Sequence, residues 1–171
     1  MTAPVPRMRL ALDQNFPIPL INAIGDYLPP TVPLAHLKSI DRRMPELDDR
    51  PLIIALHQTS WDGLITNNYK MLDVPSEVAA IVKTKLTVVA VEGLGHDPLR
   101  AVGALLLELP GIPTRIRPRH ANVFRLAYRQ RPPTDAWEYF KAAATRHHRD
   151  PDELWREIGV TEEELETPIL Q

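Results

Sequence analysis

The chain has 171 residues, of which 20 are Lys or Arg and 22 are Asp or Glu, and its formal net charge is −2. This length favours one domain with a full core and is too short for two full domains. Cysteine is absent, which excludes disulfides, zinc–thiolate sites and cysteine nucleophiles. Neither a GxGxxG nor a GK[ST] motif occurs, so a glycine-rich phosphate loop is excluded. Because no segment has the apolar length of a signal peptide or a membrane span, we expect a cytoplasmic protein that does not enter a membrane.

The first elements alternate between strand and helix. Residues 8–13 are predicted to form a strand that ends on the acidic residue Asp13. Residues 17–28 have apolar side chains at helical spacing and are followed by two prolines, which end a helix. A short second strand is predicted over residues 32–37, and a charged loop over residues 38–47.

Helices and strands continue to alternate up to about residue 110. Asp49 is a candidate N-cap, and Pro51 fits the first turn of the helix that follows it. The β-branched run LTVVAV is typical of a strand buried on both faces. The predicted elements are a helix over residues 50–58, a strand over 64–66, a helix over 75–83, a strand over 86–91 and a helix over 98–109. This alternation predicts an α/β fold in which a central, mainly parallel sheet has helices on both faces.

The pattern weakens beyond Gly111. Residues 121–128 fit a strand or a helix, residues 135–148 predict a helix, and residues 151–158 and 161–166 predict two short acidic helices. We therefore expect a C-terminal helical extension. The predicted divisions of the chain are an α/β core over residues 1–112, a basic segment over 113–149 that completes or flanks the core, and an acidic tail over 150–171.

Charge is segregated in the last third of the chain. Residues 115–149 contain nine Lys or Arg and two acidic residues, whereas residues 150–171 contain eight acidic residues and one arginine. Arginines interleaved with Phe124 and Tyr128 suit the backbone and the unstacked bases of a nucleic acid. Two other interpretations stay open: the basic stretch is a solvated surface, or the acidic tail folds back and pairs with it. The candidate nucleic-acid contacts in this stretch are Arg115, Arg117, Arg119 and Arg125.

Polar residues follow several of the predicted strands. Asp13 ends the first strand, Asn68 follows the third, and Asp97 lies in the turn after the fourth, while Asp49 begins a helix that can face the same edge. In a parallel sheet the carboxyl ends of the strands meet at one edge, where ligands gather. Carboxylate and amide oxygens are ligands for Mg²⁺ or Mn²⁺. Such ions polarise a phosphodiester and lower the pKa of an attacking water. The sequence therefore predicts a catalytic metal site formed by Asp13, Asp49, Asn68 and Asp97.

Each of these four residues also has a purely structural explanation. Asp13 fits an Asx turn or a helix cap, and Asp49 and Asp97 fit ordinary N-caps. Asn68 fits a left-handed turn position. It is their expected joint location that favours a metal site.

Short motifs within residues 8–110 resemble those of a known family. LDQNFP is similar to the LDENLP opening of PIN-like ribonucleases, which are compact α/β nucleases often found as toxins of toxin–antitoxin pairs. Asp49 leading into a helix, and the strand GLIT followed by NNYKML, resemble that family's Asp-led helix and its later strand ending in T-R-D-x-D-F. The resemblance implies a PIN-like fold, Mg²⁺ or Mn²⁺ as cofactor, RNA as substrate, and an antitoxin protein or a second copy of the chain as partner.

The resemblance also assigns expected roles. It implies that Asp13 and Asp49 are metal ligands and that Thr66 packs or hydrogen-bonds beside them. Asn68 stands where the family has its third acid, and Lys70 where many members have a fourth. An amide and an ammonium in place of two carboxylates weaken Mg²⁺ binding, although Lys70 becomes a candidate contact to the scissile phosphate.

Two functional hypotheses follow. The first is a metal-dependent endoribonuclease, in the setting of a toxin, that hydrolyses RNA by in-line attack of an activated water. The second is a catalytically inactive PIN-like module that binds nucleic acid or a protein partner at the same edge. The shared position of Asp13, Asp49 and Asp97 favours the first hypothesis, and the residues at 68 and 70 favour the second.

Overall fold

The computed structural model describes residues 7–16, 22, 24–93, 97–127 and 135–161. Its strands are β1 (Leu10–Leu12), β2 (Leu34–His36), β3 (Gly63–Thr66), β4 (Thr87–Glu92) and β5 (Asn122–Ala127). Its α-helices are α1 (Leu37–Ile40), α2 (Asp49–Gln58), α3 (Pro75–Thr84), α4 (Pro98–Glu108), α5 (Ile112–Arg115), α6 (Ala136–Arg146) and α7 (Pro151–Ile158). Single 3₁₀ turns cover Met44–Glu46, Tyr69–Asp73 and Leu109–Gly111. Among the described helices, none has the length and apolar character needed to cross a membrane.

The strands form one five-stranded sheet in the order β2-β1-β3-β4-β5, and every neighbouring pair is parallel. Leu10, Gly63, Thr87 and Asn122 lie side by side in one row of the sheet. Four strands therefore begin level with one another, and the side chains that precede them converge at one edge of the sheet. The opposite edge collects the residues that follow the strands.

Helices cover both faces of this sheet because successive strand residues point to opposite sides. Leu10, Leu12 and Ile65 belong to a core cluster that includes the apolar side of α4. Ala11 and Leu64 belong to a second cluster, shared with the apolar sides of α2 and α3. The predicted α/β fold with a parallel sheet between two helical layers is confirmed.

Several local predictions are refined by the structure. The stretch 38–47, predicted as a loop, contains the end of α1 and a 3₁₀ turn. The segment that fitted either a strand or a helix is the strand β5, which pairs with β4 over six positions. Residues 17–21 and 23 of the helix predicted over residues 17–28, and all but the first residue of the one predicted over 161–166, lie outside the described residues.

The chain divides into two units, Met1–Arg129 and Gln130–Gln171. The first contains the whole sheet, including β5 from the basic segment. The second contains α6 and α7, joined by a small aromatic cluster in which Trp137 stacks on Phe140 and Trp155 meets both rings edge-on. Arg149 also pairs with Glu157. The helical C-terminal part is confirmed, and this ion pair joins the basic segment to the acidic tail.

Candidate functional site

Asp13 is held at the carboxyl end of β1 by its neighbours. Its backbone N–H donates to the carbonyl of Ile65 on β3, over 2.9 Å, which extends the strand pairing by one residue. Its side chain is 9% exposed. Oδ1 accepts the backbone N–H of Gln14 at 2.6 Å, and Oδ2 accepts the side-chain amide of Asn15 at 3.3 Å.

Thr66 joins the ends of β1 and β3. Its hydroxyl donates to Oδ2 of Asp13 over 2.8 Å and accepts the backbone N–H of Asn68 over 2.9 Å. The side chain is 1% exposed, so both bonds lie in the protein interior. The expected place of Thr66 beside the site, which the family resemblance implied, agrees with this geometry.

Asp49 and Asn68 meet across 19 positions of sequence. Asp49 is the first residue of α2, and the residue at the N-cap is Asp48. The expectation that Asp49 caps a helix beginning at residue 50 was therefore wrong by one residue. Its carboxylate points instead to Asn68, whose Nδ2 donates to Oδ2 of Asp49 over 2.7 Å.

The pKa of Asp49 is raised above its ordinary value. Burial is the main cause, and the negative charge of Asp13 adds to it. The hydrogen bond from Asn68 acts in the opposite direction, because a donor favours the charged carboxylate. Asp13 is thus close enough for its charge to act on Asp49.

These side chains surround a cavity of about 100 Å³. We call it the carboxylate cavity, and its polar lining residues are Asp13, Gln14, Asn15, Asp49 and Asn68. Three of the four predicted catalytic residues are therefore brought together. Asp97 is not among the lining residues: it caps α4, accepting the backbone N–H of Arg100 at 3.0 Å and pairing with its guanidinium at 3.1 Å.

A further acid, Glu77, was missed by sequence reasoning. It lies in the first turn of α3. Burial raises its pKa, and the charges of Asp49 and Asp48 add to the rise. Its Oε2 atom is buried without a hydrogen-bond partner. The signal available in the sequence was a glutamate in the first turn of the helix that follows the third strand.

A basic groove adjoins the carboxylate cavity and was also missed. The groove has a volume of about 450 Å³ and shares Gln14 and Pro45 with the cavity. Lys38 and Arg42 line it with exposed side chains, and so does one acidic residue, Glu46. His36, at the end of β2, is 8% exposed and accepts the backbone N–H of Lys38 at Nδ1. The charged loop predicted over residues 38–47 already contained these cations, but nothing local in the sequence indicated which way they face.

The predicted nucleic-acid contacts lie in three different places. Lys70 is exposed in the 3₁₀ turn that follows Asn68, so it stays on the carboxyl edge. Arg115 pairs with Glu108 at 2.6 Å and lies over the ring of Phe124, beside the edge strand β5. Arg125 forms two hydrogen bonds with the carboxylate of Glu92, at 2.7 and 3.1 Å. Arg117 and Arg119 lie in the loop before β5, at the amino edge of the sheet.

The oxygen atoms that line the carboxylate cavity are of the kind that binds a hard divalent cation, although few of them belong to acidic residues. Asp13, Asp49 and the carbonyl of Asn68 offer oxygen atoms, which Mg²⁺ and Mn²⁺ prefer. The negative charge of Asp13 disfavours the ionised form of Asp49, and a bound cation would offset this effect. Within the described residues, no three Asp, Glu, His or Cys side chains are grouped closely enough to hold a metal together. Any cation here would therefore depend on two carboxylates, the amide and water.

Comparison of the chain with protein-family models, with curated proteins and with solved structures gives no significant match.

Proposed function

We propose that this protein is a metal-dependent endoribonuclease that hydrolyses phosphodiester bonds of RNA at the carboxylate cavity. The observation that carries the proposal is the convergence of Asp13 and Asp49 on one small cavity, where the charge of Asp13 raises the pKa of Asp49. Two carboxylates kept this close at the carboxyl edge of a parallel sheet are typical of an oxygen-ligand cation site.

Asp13, Asp49 and the carbonyl oxygen of Asn68 would hold Mg²⁺ or Mn²⁺. When bound, such an ion lowers the pKa of a coordinated water and offsets the charge of the phosphate. Thr66 and Asn68 fix the orientation of the two carboxylates through the hydrogen bonds given above. Catalytic groups held in place in this way need less reorganisation during the reaction.

The substrate class is supported by the cations that share this edge. Lys38 and Arg42 in the adjoining groove, and Lys70 after β3, present positive charge next to the carboxylates. Cations beside an acidic site attract a phosphate backbone and offset its repulsion by Asp13 and Asp49. A setting as the toxin of a toxin–antitoxin pair, with an antitoxin or a second copy of the chain as partner, belongs to the same proposal.

A catalytically inactive PIN-like module is the second candidate. The observation that favours it is the donor count: Asn68 stands in the cavity where a third acid would strengthen cation binding, and Asp97 caps a helix instead. Such a module would bind nucleic acid or a protein at this edge without cleaving it.

The deciding experiment incubates a mixed RNA pool with the full chain and Mg²⁺ or Mn²⁺. Asp13→Asn and Asp49→Asn are the site variants, and Asp26→Asn, an exposed turn residue, is the matched control. The proposal predicts cleavage that EDTA and both site variants abolish and that the control retains. Absence of cleavage by folded protein with either metal would leave the inactive module. Calorimetric titration with Mn²⁺ then shows whether the cavity binds a cation at all.

A further inference from the structure

The edge of the sheet opposite to the carboxylate cavity carries a second concave site. Because β1, β3, β4 and β5 begin in one row, the residues before them converge there. They enclose a space of about 380 Å³, which we call the amino-edge cavity. Its basic lining residues are Arg7, Lys85, Arg117 and Arg119.

Positive charge dominates this cavity. All four basic side chains are exposed, and among the described residues no ion pair involves them. The acidic lining residue is Asp62, whose Oδ2 already accepts the backbone N–H of Arg9 over 2.7 Å. Cations grouped in a concave surface focus a positive potential outward.

The backbone around the amino-edge cavity is held in place. Asn122 is 8% exposed, and its Oδ1 accepts the backbone N–H of Arg117 at 2.8 Å. Its Nδ2 donates to the carbonyls of Arg117 and His120, at 3.2 and 2.9 Å. One buried side chain therefore fixes the loop that carries Arg117 and Arg119, so the loop does not have to be ordered when a ligand binds.

Two of the cations occupy backbone positions that favour glycine. Lys85, which ends α3, has a φ of 58°, and Arg119 has a φ of 65°. A residue with a Cβ atom is disfavoured in this left-handed conformation. The left-handed conformation of Lys85 is that of an ordinary helix C-cap, and Lys85 and Arg119 both line the amino-edge cavity.

We propose that the amino-edge cavity binds the phosphodiester backbone of a nucleic acid. Guanidinium groups match phosphate oxygens with paired hydrogen bonds. A second concavity of about 340 Å³ shares Arg7 and Asp62 with the first and adds Arg9. A site that continues past one phosphate suits a polymer better than a single small anion. A nucleic acid bound here contacts the edge of the sheet away from Asp13 and Asp49. The amino-edge cavity is then an anchoring surface separate from the proposed catalytic site.

The test measures binding of a fluorescent 20-nucleotide single-stranded RNA to the full chain by anisotropy, in EDTA so that no cleavage occurs. The site variant is the double substitution Arg117→Gln and Arg119→Gln. Its matched control is Arg146→Gln with Arg156→Gln, two exposed arginines of the helical unit. Lys85→Gln is a second, independent site variant. Thermal melting verifies that every variant folds.

Losing two phosphate contacts should weaken binding about tenfold at physiological salt and make the slope of log K against log salt shallower by roughly 1.4. The control should keep both the affinity and the slope of the parent. Equal losses in the two double variants would overturn the proposal, because they would reflect net charge alone. Three other results would also overturn the proposal. They are no binding of RNA by the parent, full competition by millimolar inorganic phosphate, and binding to phosphatidylserine vesicles in place of RNA. Since cleavage plays no part, these outcomes are independent of the proposed ribonuclease activity.

Discussion

The side-chain amide of Asn68 donates its hydrogen bond to the carboxylate of Asp49 over 2.7 Å. An asparagine amide has two donor hydrogens and one acceptor oxygen. With Nδ2 turned to Asp49, Oδ1 is the atom that remains to face a cation. The amide therefore both favours the ionised form of Asp49 and limits the negative charge of the cavity.

Asn68→Asp tests this dual role. A carboxylate at position 68 cannot donate to ionised Asp49, and it adds a third negative charge beside Asp13 and Asp49. We expect the free energy of unfolding in EDTA to fall by about 1–3 kcal/mol. With Mn²⁺ the variant should be more stable than the parent, since a third carboxylate strengthens the binding of a hard cation. Thermal melting with and without Mn²⁺ measures both effects. Equal stability of variant and parent in EDTA would show that Asp49 does not depend on this amide.

Asp49→Asn should stabilise the metal-free protein at neutral pH. The native pKa of Asp49 is raised above its ordinary value of 3.8, so the native state holds the proton more tightly than the unfolded state. The stability that the Asp49 carboxyl contributes is then present at low pH, and it is lost as the pH rises through the raised pKa of the native state. The variant avoids that loss, so its melting temperature should exceed that of the parent at any pH where Asp49 of the parent is ionised. Melting curves in EDTA should show the gain at pH 7 and none below about pH 3.8. A gain that is equal at both pH values would contradict this explanation.

Thr66→Val tests the link between the ends of β1 and β3. The substitution removes a buried hydroxyl that bonds Asp13 and accepts the backbone N–H of Asn68. Leaving buried polar groups unpaired costs about 1–3 kcal/mol, which denaturant unfolding resolves. Thr145→Val is the control, because that hydroxyl is exposed and bonds only its own helix. If both variants lose the same stability, the loss does not come from the site.

Gly63→Ala tests the close packing of the sheet at the start of β3. A Cβ atom at position 63 would lie 2.6 Å from Cδ2 of Leu10 and 2.7 Å from the carbonyl oxygen of Thr87. The second of these atoms is backbone in a neighbouring strand and cannot move freely, so we expect a loss of about 1–3 kcal/mol. Gly103→Ala in α4 is the matched control, since no atom lies within 4 Å of its Cβ position apart from its chain neighbours and the backbone of its own helix. It should gain about 0.5–1 kcal/mol from helix propensity. Urea unfolding of both variants measures the contrast, and a neutral Gly63→Ala would argue against this strand register.

The secondary structure was largely predictable because its signals are local. Alternating strand and helix patterns predicted the parallel sheet, and the run of β-branched residues located β4, whose first five residues are buried. The segment that became β5 fitted two structures. Its burial alternates irregularly, and its strand conformation depends on pairing with β4.

The amino-acid sequence by itself determined the order of the elements and the positions of Asp13, Asp49 and Asn68 at their ends. The tertiary structure alone decided which of these residues meet. Thr66 reaches Asp13 across 53 positions, whereas Asp97 caps its own helix. The tertiary structure also decided that Arg117 and Arg119 face the amino edge of the sheet. Lys38 and Arg42 face the carboxyl edge for the same reason. The physical reason is that strand direction and strand order bring distant residues together, and no local pattern of hydrophobicity or charge encodes either one.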